Sequence, residues 1–312
     1  MRFQHLALAA GLFALLPGTA SACIILGPTQ AKIGVDQEKA IIIWDARTHT
    51  EHFIRQAEFR SDAGDFGFVV PTPTPPSLKA ANPAVFSAIE SRIFPATRAT
   101  LSAVPGAAHA PGAITKQVEI VSRQNVAGYE ATVLKAKDTG ALVQWLAKNG
   151  YQHGPALNGW LKPYVSQGWA VTAFKVKRID GRLNAAKLAP VRMTFRADAP
   201  FYPYREPVVA QVPGVTPAPR LLRVFYIGTE QAAGSLGHSV AWPGRRIWSN
   251  PLAKVSGGAL LADTIASDVA LRPIDLPKNA WLTVFDDRSS PRPAIADVYF
   301  HASAARNQVA RR

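Results

Sequence analysis

The stretch Ala40–Phe59, AIIIWDARTHTEHFIRQAEF, decides the fold of this chain. Its first part, Ala40–Trp44, is apolar and rich in β-branched residues, and Asp45–Thr50 is polar like a turn. From Phe53 to Phe59 apolar and polar residues nearly alternate, which is the period of a strand with one buried face. The stretch therefore predicts a β-hairpin, and the other elements are placed outward from it.

A second turn and a third strand follow the hairpin. Ser61–Asp65 has the composition of a turn, and Phe66–Val70 is an apolar run of strand length. Pro71–Pro76 is rich in proline, which cannot donate hydrogen bonds to a neighbouring strand. We therefore expect this segment to leave the sheet as an extended polyproline stretch.

Three segments predict helices. Asn82 and Pro83 supply an N-cap and a first helical residue ahead of an apolar stripe. Asp138 caps a second helix, which stops at Asn149–Gly150. Pro155–Gln167 has apolar residues at helical spacing and predicts the third helix.

The rest of the chain is predicted to be β-rich, with strands over 118–121, 129–135, 169–177, 190–196, 206–212, 221–227, 280–285 and 295–301. Strands and helices occur in blocks, which predicts an α+β fold with mixed or antiparallel sheets and about three helices. The chain is longer than a typical domain of roughly 100–150 residues. We therefore expect two closely packed subdomains, 23–124 and 125–302, and a frayed basic tail over 303–312.

Residues 1–22 have the pattern of an export signal. Leu6–Leu16 is apolar, a Pro-Gly pair ends it, and Ala20–Ala22 is a small-residue cleavage site. Cleavage there makes Cys23, the single cysteine, the first residue of the mature chain. The sequence therefore predicts a protein of the periplasm or cell envelope that forms no internal disulfide.

Cys23 raises the question of a lipid anchor. Bacterial lipoproteins are acylated on a cysteine at this place, but Ala20 stands where their signals usually carry leucine. The alternative is ordinary cleavage, which leaves Cys23 as a plain N-terminal residue. The apolar signal segment is shorter than the roughly 20 residues of a spanning helix. No other stretch approaches that length, so the mature chain is expected to have no transmembrane helix.

The charge of the chain is strongly positive, with 35 Lys and Arg against 21 Asp and Glu and a net charge of +14. Such a surface attracts anions over roughly 8–10 Å at physiological salt. In an exported protein the candidate partners are an anionic lipid surface, an acidic glycan or another envelope protein. Nucleic acid is not expected, because the charge is scattered and no nucleic-acid motif occurs. The simpler alternative is a charge that serves solubility alone.

The order of motifs resembles an exported bacterial family called domain of unknown function 2330. Its members share a cysteine near the signal cleavage site, a strand pair, a turn-strand block ending in spaced prolines, and a helix. Here Cys23, Ile41–Trp44, Asp62–Pro73 and Pro83–Ile89 fill these places in order. The resemblance covers about residues 23–230, and it implies an exported protein without assigning a catalytic residue. Ile24 is a departure, because many members have glycine and an aromatic residue just after the cysteine.

Asp62 and Asp65 are the first candidate binding residues. Two carboxylates three residues apart in a tight turn are able to bind a hard cation, or to act as an acid and base pair. The alternative is turn chemistry, because aspartate side chains accept hydrogen bonds from nearby backbone N–H groups.

A second candidate site is the segment that contains Arg245 and Arg246 together with Trp242 and Trp248. We interpret this segment as an exposed loop, where arginine pairs with phosphate or carboxylate and stacks on tryptophan. The alternative is an ordinary surface.

Other constellations are weaker. His49 and His52 lack the spacing of zinc proteases, and the sequence has no nucleophile elbow, P-loop or dinucleotide fingerprint. The aromatic residues in the helical region fit packing between helices and sheet better than a sugar platform: Trp145, Trp160, Tyr164 and Trp169. The sequence predicts no catalytic residue, no metal and no cofactor.

Two functions remain open from the sequence. The first is an exported noncatalytic envelope protein that binds a partner protein, a glycan or an anionic surface. The second is an envelope hydrolase that uses Asp62 and Asp65, or Cys23 as an N-terminal nucleophile. Ile24–Leu26 offers no polar partner for such a nucleophile.

Overall fold

The structure is a computed structural model that describes residues 24–27, 33–61, 66–94, 117–176, 189–207, 220–237, 239–255, 257–266, 276–289, 292 and 295–303. Over these residues the strands are β1 (Ile24–Leu26), β2 (Ile33–Asp45), β3 (Thr50–Ser61), β4 (Phe66–Thr72), β5 (Ser77–Ala80), β6 (Val118–Val126), β7 (Tyr129–Ala136), β8 (Ala170–Val176), β9 (Val191–Arg196), β10 (Phe201–Tyr202), β11 (Leu221–Gly228), β12 (Ala232–Leu236), β13 (Val240–Ala241), β14 (Arg245–Pro251), β15 (Trp281–Asp287) and β16 (Val298–Ala302). The helices are α1 (Ala84–Ile93), α2 (Thr139–Lys148), α3 (Ala156–Ser166) and α4 (Gly258–Ala266), and Leu252–Lys254 forms a single 3-10 turn.

The hairpin predicted at Ala40–Phe59 lies near the middle of the largest sheet. β2 and β3 pair antiparallel, with Ile42 opposite Phe53 and Ile41 opposite Ile54. Ile42 and Phe53 are buried on one face of the sheet, and Ile41 and Ile54 are buried on the other. A hairpin that is apolar on both faces needs cover on both sides. This requirement organises the remaining layers.

Three sheets make up the β structure. Sheet A has the strand order β1-β4-β8-β7-β6, sheet B β14-β15-β11-β2-β3-β9-β5, and sheet C β10-β16-β12-β13. Strands β11 and β2 are parallel, and the other pairs are antiparallel. The α+β class with mixed and antiparallel sheets is therefore confirmed.

The sheets and helices stack in layers. Sheets A and C both pack on one face of sheet B, and this shared core contains aromatic residues from all three sheets. Helices α2 and α3 cover the outer face of sheet A, and α1 and α4 cover the outer face of sheet B. Each large sheet thus buries both faces, which explains the near-continuous apolar runs in its strands.

Two of the three predicted helix starts have the capping contacts expected of them. Asp138 accepts a hydrogen bond from the Ala141 N–H at 2.7 Å, as an N-cap does. Asn82 accepts one from the Ala84 N–H at 2.9 Å, although Pro83 occupies the N-cap position of α1. After α2, Gly150 adopts a φ of +79°, a backbone conformation that glycine reaches without steric cost.

The count of about three helices is corrected to four over the described residues, because α4 was not predicted. Its sequence, GALLADTIA, begins with glycine and lacks a capping signal. The helix is held by packing, since Leu261 and Ile265 are buried against the outer face of sheet B. Tertiary contacts stabilise a segment here whose local signals for a helix are weak.

The division into two subdomains, 23–124 and 125–302, has no counterpart in the sheets. The proposed boundary falls inside β6 (Val118–Val126). Sheet A joins β1 and β4 to β7 and β8, and sheet B joins β2 and β3 to β9 and β11. Both halves of the chain therefore build both large sheets.

Two further predictions change at the edges of the described ranges. Glu206 and Pro207, predicted to begin a strand, lie in irregular structure. Ser303, predicted to begin a frayed tail, donates its N–H to the Gln231 carbonyl at 2.8 Å. Residues 208–212 and 304–312 lie outside the described residues. Over the described part, no helix combines the length and apolar character needed to cross a bilayer.

Candidate functional site

The first candidate residues fall outside the part of the chain that the structure describes. Asp62, Asp65 and Cys23 are all in this position, so their roles stay predictions. The described strands end at Ser61 and resume at Phe66 on either side of the aspartate pair.

The second candidate group does not form one exposed loop. Trp242 is buried in the core that sheet B shares with sheets A and C, whereas Trp248 packs on the opposite face of sheet B. Arg245, Arg246 and Trp248 belong to strand β14, so the loop interpretation was wrong for them. Of the four side chains, Arg245 is exposed, and Arg246 donates to the Ser303 hydroxyl at 2.9 Å. An anion contact at the two arginines stays a prediction.

Trp242 is an anchor for the chain around it. Its ring packs against Phe285 and Phe300, with centroids 5.4 Å and 6.0 Å away. A Cβ on Gly244 would lie 2.4 Å from the Trp242 ring, and one on Gly234 would lie 2.7 Å from it. Only glycine leaves room for the indole at these two positions, so the ring fixes the backbone that leads into β14.

The other two sets of candidate residues are also separated or buried. His49 lies in the hairpin turn with a φ of 51°, while His52 pairs with the Thr194 hydroxyl at 2.9 Å. Among the described residues no group of His, Cys, Asp and Glu is arranged to hold a metal ion. The aromatic residues suspected of sugar binding pack between α2, α3 and sheet A: Trp145, Trp160, Tyr164 and Trp169.

The principal polar site of the described chain is interior, and sequence reasoning missed it. The segment Phe201–Pro207, FYPYREP, begins as β10 of sheet C and continues without regular structure from the shared core, and we call it the strap. Its first residue, Phe201, contacts Trp169 beside sheet A and Tyr299 of sheet C, at 5.2 Å and 6.1 Å between ring centroids. The strap therefore begins where sheet C meets residues beside sheet A, and we call this contact the seam.

Each buried carboxyl group of the described chain either contacts the strap or belongs to it. Glu51 accepts the Phe201 N–H at 2.9 Å, and Glu38 accepts the Tyr202 hydroxyl at 2.6 Å. Asp287 accepts the Tyr204 hydroxyl at 2.6 Å. The remaining contacts involve Asp297, which accepts the Arg205 N–H at 3.0 Å, and Glu206 of the strap itself, which pairs with Arg220.

The physical reason for this arrangement is the backbone of the strap. Beyond Tyr202 the strap has no strand partner, so its buried N–H groups need other acceptors. Carboxylate oxygens supply them, and Pro203 and Pro207 have no N–H to satisfy. A buried donor left without an acceptor would cost about 1–3 kcal/mol. The buried carboxylates thus accept hydrogen bonds that the carbonyl groups of a neighbouring strand would otherwise accept.

Three arginines balance the charge of three of these acids. Arg55 pairs with Glu38 at 2.7 Å and lies 4.7 Å from the centre of the Phe68 ring. Arg292 lies 3.5 Å from Asp287 and 3.6 Å from Glu206, which also pairs with Arg220. These three acids and three arginines therefore form a group of matched charge, as buried ions require.

The pKa shifts follow from burial and these partners. Burial would raise the pKa of Glu38, but Arg55 and the Tyr202 hydroxyl hold it below its usual range. Burial raises the pKa of Glu51 well above 4.5, and the single bond from Phe201 offsets little of this. Burial also raises the pKa of Asp297, against the hydrogen bonds from Arg205 and Tyr164. Burial and the nearby Arg292 lower the pKa of Arg220 to about 10, so it stays charged at neutral pH.

This arrangement is suited to holding layers together. The strap bonds to α3 as well, because the Trp160 indole donates to the Arg205 carbonyl at 2.8 Å. Asp297, which accepts the Arg205 N–H, also accepts the Tyr164 hydroxyl at 2.9 Å and so links the strap to α3 indirectly. The signal in the sequence was the pairing of tyrosines with prolines in FYPYREP, whose polar tips need partners when buried. No local pattern shows which acids supply those partners.

The fold and the interior strap define a layered α+β protein whose helices lie outside two large sheets. The model of the bacterial family described as "uncharacterized protein conserved in bacteria (DUF2330)" matches residues 17–286, so the chain belongs to that family. The resemblance expected from the motifs is confirmed.

Comparison with curated proteins gave no match. Among solved structures, the crystal structure of baculovirus P35 is similar over 90% of this chain and 100% of that chain. The identity is 9% and the TM-score 0.41, so no argument about this chain follows from the likeness.

Proposed function

We propose that this is an exported, noncatalytic protein of the bacterial envelope that binds an anionic surface through its positive charge. The observation that carries the proposal is the distribution of charge. The chain has a net charge of +14, and its main buried ion cluster pairs three arginines with three acids. The excess positive charge therefore lies outside that cluster.

Exposed positive charge has a defined physical effect at an anionic surface. Each Lys or Arg near such a surface contributes about 1 kcal/mol, and the attraction fades within a Debye length of about 8 Å at physiological salt. Several such side chains together give binding that is strong at low salt and weak at high salt. No particular shape of partner is required for this binding.

The export part of the proposal is supported by the pattern of residues 1–22, an apolar run followed by a small-residue cleavage site. Strand β1 starts at Ile24, directly after Cys23, and pairs with β4. Cleavage before Cys23 would remove no described strand. The mature protein would then carry Cys23 at its N-terminus, with or without an attached lipid, in the periplasm or cell envelope.

The test is binding to lipid vesicles. Protein recovered from the envelope of expressing cells would first be weighed by mass spectrometry, and we expect it to lack residues 1–22. It would then be floated with vesicles of zwitterionic lipid, with and without added anionic lipid. We expect binding to the anionic vesicles alone, with affinity that falls as salt is raised.

Two results would contradict the proposal. Equal binding to both kinds of vesicle, or none to either, would remove the anionic surface as partner. A mature chain that still begins at Met1 would contradict export by cleavage of residues 1–22. The hydrolase alternative is not proposed, because Asp62, Asp65 and Cys23 lie outside the described residues and no described contact favours it.

A further inference from the structure

One corner of the molecule combines exposed apolar and positive side chains. We propose that this corner docks on an anionic lipid bilayer, with Val240 and Ile295 entering the headgroup region and Arg245 and Arg288 contacting lipid phosphates. This inference rests on the proposed function and names the surface of the protein that performs it.

The two apolar side chains are the most exposed large hydrophobic residues of the described chain, at 48% for Val240 and 59% for Ile295. Both are connected to the turn that follows β12, although they are far apart in sequence. Val240 pairs with Leu236 on β12, and Gly237 donates its N–H to the Asp297 carbonyl at 2.8 Å. A Cβ on Gly237 would lie 3.7 Å from the Cβ of Ala296, the neighbour of Ile295.

Two exposed arginines lie at the neighbouring ends of β14 and β15, and the first, Arg245, follows Val240 by five residues. Arg245 begins β14 opposite Asp286, and Arg288 follows two residues after Asp286 at the end of β15. Both arginine side chains are exposed. The acids nearby are Asp286, which is paired with Arg223 at 2.7 Å, and the buried Asp287 and Asp297. Over the described residues, the corner therefore exposes positive charge that no exposed carboxylate of the corner opposes.

A buried side chain, Trp242, holds the backbone of this corner in place. Trp242 lies between Val240 and Arg245 in sequence and is buried against Phe285 and Phe300. Ala241 and Pro243, its two neighbours, are exposed. The buried indole thus turns the residues on either side of it outward. A preformed apolar tip loses little conformational entropy when it enters an interface.

The positive charge of the corner favours a membrane over a second copy of this chain as its partner. A symmetric dimer through the corner would bring its arginines against the same arginines of the other copy, which is unfavourable without acids to pair with them. Anionic headgroups supply the opposite charge, and the acyl boundary accepts apolar side chains. Apolar residues flanked by basic ones are the general pattern of interfacial membrane binding.

The experiment compares four variants in the vesicle assay, with vesicles of zwitterionic lipid to which anionic lipid has been added. The apolar variant is Val240→Ser with Ile295→Ser, and the charge variant is Arg245→Gln with Arg288→Gln. The matched control Arg47→Gln with Lys148→Gln removes the same charge elsewhere, where Arg47 is 78% exposed and Lys148 is also exposed. Val121→Ser, at a residue 41% exposed on β6, controls for loss of an exposed apolar group.

We expect the apolar and charge variants each to lose about tenfold or more in affinity for these vesicles. The charge variant should also show a shallower dependence on salt. The control pair should lose clearly less than the charge variant, and Val121→Ser should bind like the original protein. All the altered residues are exposed, so thermal unfolding should show that each variant remains folded.

Other outcomes separate the two proposals. If the original protein binds anionic vesicles and both corner variants bind equally well, the corner is not the docking surface, while the proposed function stands. If the original protein does not bind at all, the proposed function fails and this inference with it. If the apolar variant changes a dimer to a monomer in sedimentation without changing vesicle binding, the corner joins copies of this chain, and the membrane proposal is overturned.

Discussion

Glu51 is a carboxyl group sealed inside the protein with little to stabilise its charge. It lies on β3, fully buried, and its Oε2 accepts the Phe201 N–H at 2.9 Å. Its Oε1 has no hydrogen-bond partner among the described residues. The nearby titratable groups are the hydroxyls of Tyr226 and Tyr299, whose pKa values are raised by burial and by Glu51 among other acids. Burial raises the pKa of Glu51 well above 4.5, which favours the protonated form.

The substitution Glu51→Gln tests this state. Between pH 4.5 and the raised pKa the folded protein holds a proton that the unfolded chain has released, so stability falls as pH rises through this window. Glutamine imitates the protonated carboxyl and does not titrate. We expect the variant to be more stable than the original protein at pH 8 and nearly equal to it at pH 5, because only the original protein loses stability across this window.

Urea unfolding at both pH values measures the difference. The control is Glu119→Gln, because Glu119 is exposed on β6, and its stability should follow the original protein at both pH values. A Glu51→Gln variant that loses stability equally at pH 5 and pH 8 would show that Glu51 is ionised in the folded state.

At the scale of elements, the strap pairs as a strand only at Phe201 and Tyr202, and its remaining residues have no strand partner. It contacts α3 through Trp160, β2 through Glu38, β3 through Glu51 and β15 through Asp287. Its polar groups are satisfied mainly by side chains from other elements. The packing of the strap therefore depends on individual hydrogen bonds to buried carboxylates. Each of these bonds can be removed by substituting one side chain.

The substitution Tyr164→Phe removes one of these bonds, the 2.9 Å contact from the Tyr164 hydroxyl to Asp297. We expect a loss of about 1–3 kcal/mol in the free energy of unfolding, because a buried carboxylate loses a donor. Hydrogen exchange should quicken at the Arg205 amide, which shares the same Asp297 oxygen.

The matched control is Tyr151→Phe in the same helix-covered core. The Tyr151 hydroxyl makes a longer contact, 3.4 Å from the Ala173 carbonyl, so its loss should cost less. If both variants lose the same stability and the Arg205 amide keeps its protection, the contact to Asp297 does not hold the strap.

For the whole molecule, the sheets tie distant parts of the chain into one body. Sheet B pairs β2 with β11 and β3 with β9, and sheet A pairs β4 with β8. Among the described strands, those from residues 23–124 alone, or from 125–302 alone, complete neither sheet A nor sheet B. Because each half supplies strands that the other half needs, partial unfolding would expose apolar faces in both sheets.

We therefore expect the intact protein to unfold in one cooperative transition. Far-UV circular dichroism and tryptophan fluorescence should give coincident curves, since Trp160 and Trp242 lie in different layers that depend on the same sheets. Two separate transitions, with one half of the chain still protected from hydrogen exchange after the first, would restore the predicted division into subdomains.

Local signals predicted many of the elements well. The hairpin, the Asp138 cap and the alternating strands depend on residues within a few positions of each other, and the structure has them at those places. The helix α4 was missed because its stability comes from packing on sheet B. The predicted surface with Trp242 and Trp248 was wrong because the two side chains pack on opposite faces of sheet B, and nearby sequence does not show this.

By itself, the sequence determined the family, the α+β class and the strongly positive charge, since these depend on composition and on short-range order, and export stays a prediction from its first residues. Only the tertiary structure decided how the two halves share their sheets, which acids bond to the strap, and which apolar and positive side chains meet at one corner. The reason is distance along the chain. Glu51 and Phe201 are 150 residues apart, and only the completed sheets bring such partners together.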